Sequence, residues 1–245
     1  DRSPSRGLGD VYKRQHVMTN MEPGKVFYRP ENVQTGRSYF KLTIQGEGGH
    51  GSSPHTANDA IVAGANFVTT AQTIVSRRLN PFETGVVTIG SFDGKGQFNV
   101  IKDKIELEGD VRALTDATRD KIADELQQMV KGLEVTFGVK CDFEFSKDYP
   151  ALYNDPDFTN YVAETIKKAD LDDVKGVEEC EAQPPSEDFA FYAKTLPSTF
   201  IYSGAAPQDG KAYPHHHPKF KIDEKSMLVA AEAVGAVVLD YLNSK

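Results

Sequence analysis

The sequence contains no tryptophan and only two cysteines, and no apolar run in it approaches the roughly 18 residues that a membrane-spanning helix needs. Cys141 and Cys180 lack the spacing of a CxxC motif, which favours reduced thiols and leaves a single disulfide open as the alternative. The N-terminus also lacks the apolar segment of a secretory signal. We therefore expect a cytoplasmic protein with no membrane partner.

Positive charge is scarce as well. There are 28 Lys and Arg against 36 Asp and Glu, which gives a formal net charge of −8. No basic stripe is present, so we expect no nucleic-acid partner. The 245 residues are 39% hydrophobic and 26% charged. This is ordinary for a globular chain and is enough for one large or two modest cores.

The first 15 residues differ from the rest. They mix Arg, Ser, Pro and Gly without periodicity, and residues 10–15 look like a translated transposon-end adapter of the kind used in sequencing libraries. We interpret residues 1–15 as a non-native leader, with a disordered tail as the alternative. The native sequence is then expected to begin at His16.

Residues 38–147 carry the order strand, helix, strand, strand, helix, strand. Alternating apolar residues indicate strands at about 39–45, 85–92, 104–114 and 140–146. Apolar residues at helical spacing indicate helices at about 58–79 and from 115 onward. This βαββαβ order predicts a ferredoxin-like domain, an antiparallel sheet with both helices on one face.

Residues 148–245 alternate differently. Helices are predicted at about 156–168, just after Ser186 and at 223–242, with a buried strand at 198–202. Such alternation is typical of an α/β layer. The layer is too small to stand alone. We therefore interpret 16–37 and 148–245 as parts of one α/β catalytic domain whose first half should precede His16, with 38–147 inserted as a lid.

Four glycines within residues 46–51 surround His50 on the loop between the first lid strand and the first lid helix. Glycine permits positive φ and close approach of other groups, so the loop presents His50 instead of packing it. A tight turn with incidental histidines is the alternative interpretation.

Three further sets of residues carry chemistry. Three histidines at 215–217 are flanked by prolines, and imidazole is a common metal ligand, although a solvated loop stays open. Asn99 lies between two predicted lid strands and Arg112 near the end of one. A guanidinium fits a planar carboxylate, although a loop asparagine and a solvated strand arginine are the ordinary alternatives. Glu187 and Asp188 could orient a ligand, or simply begin a helix.

Taken together, these motifs resemble the M20 metallopeptidase and amidohydrolase family, most closely its hippurate-hydrolase-like branch, which cleaves N-acyl amino acids. The matching segments follow the family's order and lie at residues 48–55, 99–101, 109–112, 185–189 and 216–224. Lys102 stands where the family usually has proline, and Arg14-Gln15 replace the Gly-x that precedes the family's histidine.

The resemblance implies a role for each matching residue. His16 and His216 would be metal ligands, and His50 would stabilise the oxyanion. Asn99 and Arg112 would bind the substrate carboxylate. Two divalent metal ions are implied, Zn²⁺ ahead of Mn, Co or Ni.

The family takes its remaining ligands and its general base from an upstream segment with a Cys or Asp, a His-Asp-x-His passage and a Glu-Glu pair. That upstream segment is not in this sequence, and Cys141 and Cys180 fall outside the corresponding motif. We therefore expect an N-terminally truncated member that is inactive alone.

The expected function is amide hydrolysis of N-acyl amino acids or short peptides by a homodimer. The lid would pair the two subunits, and His50 would serve the partner's site. One alternative is a di- or aminopeptidase of the same family. Another is a non-catalytic ferredoxin-like module that dimerises or senses metal.

Overall fold

The computed structural model describes residues 12–244, which form two compact units. The unit that we call the lid unit comprises Thr35–Ala151 and Pro184–Glu187. The other, the host unit, comprises the remaining described residues. The lid predicted at 38–147 is slightly shorter than the first segment of the lid unit. It begins three residues later and ends four residues earlier.

The described residues form twelve strands and five α-helices, together with a 3₁₀ turn at Pro54–Thr56 and a π-helical turn at Ile74–Arg78. The strands are β1 (Tyr12–Met18), β2 (Lys25–Tyr28), β3 (Glu31–Gln34), β4 (Gly36–Gln45), β5 (Gly49–His50), β6 (Gly85–Asp93), β7 (Val100–Ile101), β8 (Lys104–Ala113), β9 (Lys140–Tyr149), β10 (Leu152–Asn154), β11 (Gly176–Glu179) and β12 (Ser198–Gly204). The helices are α1 (Ala60–Thr73), α2 (Asp116–Phe137), α3 (Pro156–Lys168), α4 (Phe189–Ala193) and α5 (Lys225–Asn243).

The lid unit is built on an antiparallel sheet in the order β6-β8-β4-β9. Alternate residues of β4 are fully buried, among them Phe40, Leu42 and Ile44, and they share one core with α1 and α2. Opposite Phe40 stands Gly109, where an added Cβ would lie 2.2 Å from the phenyl ring. The predicted ferredoxin-like order is confirmed.

The two lid helices begin where their capping residues place them. The Asp59 side chain accepts hydrogen bonds from the amides of Ile61 and Val62, and the Thr115 hydroxyl accepts one from the amide of Thr118. The sequence predicts that the first helix runs on to residue 79. Its last turn instead widens after Thr73 into the π-helical turn, which is closed by the amide of Leu79 donating to the Ile74 carbonyl at 3.0 Å.

The host unit contains a mixed sheet in the order β1-β12-β2-β11. All seven residues of β12 are buried. One of its faces packs in a cluster with α3 and α5, and the other packs in a cluster with α4. The sequence predicts a buried strand at 198–202, and the structure shows this strand covered on both faces.

Strand β1 crosses the boundary expected between leader and native sequence. Residues 12–15 form its first half and pair in parallel with 198–201 of β12. The boundary predicted before His16 is therefore not a structural boundary, because the ladder starts four residues earlier. Whether these residues are native stays a prediction, and residues 1–11 lie outside the described part of the chain.

Helix α5 is long and apolar enough to cross a membrane by length and composition alone, with a mean hydropathy of 1.4 over its best window. The sequence had led us to expect no such stretch. A core helix passes the same test, and α5 places Val229, Ala233 and Val237 in the host core.

The fully buried side chain of Asn154 joins its own strand β10 to β12 and to the turn between β2 and β3. Its Nδ2 donates to the carbonyls of Arg29 and Phe200, and its Oδ1 accepts from the Phe200 amide at 2.7 Å. We expect Asn154→Leu to lower the free energy of unfolding by roughly 3 kcal/mol or more, because each orphaned buried group costs about 1–3 kcal/mol. Urea unfolding measures the loss. Asn160→Leu, at an exposed position of α3, is the matched control. An equal effect of both substitutions would contradict the argument.

Both cysteines are free thiols, and burial raises the pKa of Cys141 and of Cys180 to about 11. At pH 8 the thiolate fraction is then roughly 100-fold below that of an ordinary thiol, and the thiolate is the reactive form. We expect iodoacetamide to alkylate the folded protein slowly and the denatured protein fast, with mass spectrometry following both sites. Alkylation of the folded protein at the denatured rate would contradict the burial of the two thiols.

Candidate active site

The glycine-rich loop of the lid unit brings His50 next to a second short strand. His50 in β5 pairs with Val100 in β7, and the Gly51 amide donates to the Asn99 carbonyl at 2.8 Å. A Cβ at Gly51 would lie 2.8 Å from that same oxygen, closer than real Cβ atoms come. The four loop glycines all keep negative φ. Of the two uses predicted for the glycines, close approach is therefore the one that the structure shows.

The proton on the imidazole of His50 has a defined position. Its Nδ1 accepts from the Ser52 amide at 3.2 Å, and the Ser52 hydroxyl lies 2.8 Å from the same nitrogen. An amide N–H can only donate, so Nδ1 carries the lone pair and the neutral ring carries its proton on Nε2. The exposed His50 side chain therefore presents an N–H donor to the solvent side of the loop.

Asn99 is exposed and lies beside His50, as the sequence predicts for one site. Arg112 is placed differently. It lies near the C-terminal end of β8, and roughly 27 Å of extended strand separate it from the N-terminal end of β8, which follows β7. Its Nε donates to Asp110 at 2.7 Å, and its Nη1 donates to the Ser186 hydroxyl at 3.2 Å. The structure thus brings together His50 and Asn99 but not Arg112.

In the host unit, His16 lies against His215, with ring centroids 5.0 Å apart. The Nδ1 of His16 donates to the Val17 carbonyl at 2.7 Å, which leaves a lone pair on Nε2. The Nε2 of His215 is buried and has no hydrogen-bond partner among the described residues. Burial, followed by the charges of His16 and His216, lowers the pKa of His215 and favours its neutral form.

His216 and His217 have other surroundings. His216 is exposed, and its φ of 69° lies in the left-handed region that costs a non-glycine residue about 1–2 kcal/mol. The ring of His217 stacks on Tyr213 at 4.7 Å, and its Nδ1 accepts from the Lys219 amide. The geometry therefore places His215 next to His16, where the motif had assigned His216. The left-handed backbone at His216 turns the loop and carries no signal in the sequence.

Of the acidic pair, Asp188 contacts a basic side chain of the host unit. Asp188 forms an ion pair with Arg14 at 3.3 Å, and both side chains are about half exposed.

Sequence reasoning missed two contributors, Ser52 and His215. Ser52 follows His50 by two residues, a spacing from which a side chain can bond the neighbouring backbone. His215 was visible only as one of three adjacent histidines.

A divalent metal needs more ligands than these two imidazoles. Within residues 12–244 no group of three or more His, Cys, Asp or Glu side chains is placed to hold a metal ion. The lone pair of His16 and the unpartnered nitrogen of His215 suit a metal as two neutral donors. The described residues therefore fit part of a metal site.

Comparison with known proteins places these units in one family. Residues 32–136 match the M20 peptidase dimerisation domain. The chain is 36% identical over 95% of its length to the Bacillus subtilis (strain 168) protein YhaA, which bears an amidohydrolase name, and spans 58% of that protein. It is 31% identical over 89% of its length to the N-acetyldiaminopimelate deacetylase of Shouchella clausii, and spans 56% of it.

Comparison with solved structures gives the same relationship as the sequence relatives. A structure described as an aminohydrolase from methicillin-resistant Staphylococcus aureus superposes with a TM-score of 0.90 at 68% identity, over 95% of this chain and 59% of that one. The Bacillus subtilis YXEP protein, described as a dinuclear metal binding peptidase of the M20 family, superposes with a TM-score of 0.78 at 21% identity, over 96% of this chain and 58% of that one. The chain thus spans somewhat more than half of the relatives that it matches. The chain therefore contains the M20 peptidase dimerisation domain, and over almost its whole length it is similar in sequence and fold to M20 peptidases and amidohydrolases.

Proposed function

We propose that this chain is part of a metal-dependent amidohydrolase that cleaves the amide bond of N-acyl amino acids. The observation that carries the proposal is the exposed Nε2–H of His50, whose tautomer the Ser52 amide defines. Two relatives support the substrate class by their names, N-acetyldiaminopimelate deacetylase and the N-acetyl-L-cysteine deacetylase of Bacillus subtilis, which is 31% identical over 88% of this chain and 50% covered by it.

In this proposal His50 donates its Nε2 proton in a hydrogen bond to the oxygen that becomes negative as the amide carbonyl is attacked. A donor that is already oriented costs no reorganisation at that moment, which is why such groups lower barriers. The exposed amide of Asn99 would bind the substrate carboxylate beside it. Arg112 lies near the other end of β8 and pairs with Asp110, so it is too far away to reach a carboxylate held beside the His50 of its own chain.

His16 and His215 are proposed as two of the metal ligands, with the motif-based His216 as the competing assignment. A divalent ion held there would supply Lewis-acid polarisation of the carbonyl and activation of water. Nitrogen ligands suit zinc first, then cobalt, nickel or manganese. We assign no general base within this chain. Its inactivity in isolation and its cytoplasmic location stay predictions.

A homodimer is proposed to form through the lid unit, which contains most of the matched dimerisation domain. Its outer strands β6 and β9 have one neighbour each within the described chain, so an edge is available for two-fold pairing. His50 and His16 belong to different units. We propose that His50 serves the site of the partner subunit.

Zinc titration by calorimetry distinguishes the two ligand assignments. We expect His16→Ala and His215→Ala to weaken Zn²⁺ binding at least as much as the roughly 10–100-fold that loss of a supporting residue costs. His217→Ala is the matched control, since that ring is engaged by Tyr213 and Lys219. If His216→Ala weakens binding while His215→Ala does not, the motif assignment holds and the proximity argument fails.

Subunit mixing tests His50. In the complete gene product, we expect His50→Ala to lower kcat by roughly 10²–10³ with metal content unchanged, as loss of an oxyanion donor does. Mixing His50→Ala subunits with His16→Ala subunits should restore activity, because one site of each mixed dimer then combines intact His16 with intact His50. Mixed dimers that form but stay inactive would show that His50 does not act across the dimer.

A further inference from the structure

A fully exposed phenylalanine stands next to the proposed oxyanion donor. Phe98 has a relative exposure of 101%, and Val100, two residues on, is 52% exposed. An isolated apolar side chain in water is ordinary, but a large aromatic ring with no shielding at all loses the full benefit of burial. Exposure alone does not identify a partner, because Phe82 is exposed to the same degree, and the feature that distinguishes Phe98 is its position beside the His50 loop.

The backbone holds Phe98 where it stands. The amide of Val100 donates to the Gln97 carbonyl at 3.3 Å and closes a turn with Phe98 and Asn99 at its two central positions. The next contact, from the Gly51 amide to the Asn99 carbonyl, ties this turn to the His50 loop. Backbone hydrogen bonds therefore connect the turn that carries Phe98 and Asn99 to the loop that carries His50.

The chemistry of the proposed reaction says which apolar group belongs there. The carbonyl carbon that carries the developing oxyanion also carries the acyl substituent, so a substrate bound by His50 places its acyl group within a few ångströms of that imidazole. Asn99 is proposed to hold the carboxylate at the other end of the same molecule. The ring adjacent to Asn99 is then in reach of the substrate's apolar part.

We propose that Phe98 is a specificity-determining residue that packs against the acyl group of the substrate, in the partner's site when the lid pairs two subunits. The inference rests on the proposed function. It predicts selectivity for larger apolar acyl groups, because an acetyl methyl covers little of a phenyl ring and a hexanoyl or benzoyl group covers much of it. A few buried methylenes change specificity by roughly 10-fold or more.

The chain offers a matched control in Phe82, which is 98% exposed in the turn before β6. Phe98 follows the other end of that strand, roughly 30 Å away along nine residues. Both residues are unshielded phenylalanines of the lid unit, and only Phe98 adjoins His50. A general effect of removing an exposed ring would therefore appear in both variants.

The experiment measures kcat and KM of the metal-loaded complete gene product for N-acetyl, N-hexanoyl and N-benzoyl derivatives of one amino acid. We expect Phe98→Ala to lower kcat/KM for the hexanoyl and benzoyl substrates by roughly 10-fold and to leave the acetyl substrate within about twofold. Phe98→Leu should retain the hexanoyl activity, and Phe82→Ala should change none of the three.

Three results would overturn the inference. If Phe98→Ala lowers kcat/KM equally for all three substrates, or for none of them, the ring does not discriminate between acyl groups. A shift of Phe98→Ala from dimer to monomer in light scattering, with acyl selectivity unchanged, shows that the ring packs against protein. If the unsubstituted protein hydrolyses no N-acyl amino acid, the proposed function itself fails and this inference falls with it, a result distinct from the other two.

Discussion

The hydrogen bond from the Gly51 amide to the Asn99 carbonyl is the contact on which the proposed lid chemistry depends. It is possible only because residue 51 has no side chain. Through it, two loops that are far apart in the sequence become one assembly with a donor, an amide and an apolar ring. In the proposed function, each of the three acts on a different part of one N-acyl amino acid.

The order of strands and helices in the lid unit could be predicted from the sequence because side-chain burial determines it. In β4, Phe40, Leu42 and Ile44 alternate with polar residues, and a shift of one residue would turn all three to solvent. Such a pattern leaves one register, so the order of strands and helices could be predicted from the amino-acid pattern alone. The ends of the elements were harder to predict. The π-helical turn after α1 begins at the buried Ile74, and the apolar spacing gives no signal of it.

The candidate site was predictable by residue type and less so by geometry. The motifs assign His50, Asn99 and Arg112 to one site. Within one chain, His50 and Asn99 lie on adjoining loops, whereas Arg112 is the ninth of the ten residues of β8. The loop at 215–217 could not be resolved, because three consecutive histidines have equivalent chemistry. A left-handed residue at 216 reverses the direction of the backbone there, and that conformation sends the middle ring to solvent and its predecessor toward His16.

The chain leaves the host unit and returns to it at paired positions. Gln34 stands opposite Leu152 in the β3–β10 ladder, and Arg37 stands opposite Tyr149 in the β4–β9 ladder. A folded lid therefore holds its own ends together, so that folding of the host unit costs almost no additional loop-closure entropy. If the lid unfolded, its length as a flexible loop would cost the host roughly 4 kcal/mol, since closure entropy grows with the logarithm of loop length. The stabilities of the two units are thus coupled through chain connectivity alone, and inserting a longer lid at the same two positions would change that coupling only slightly.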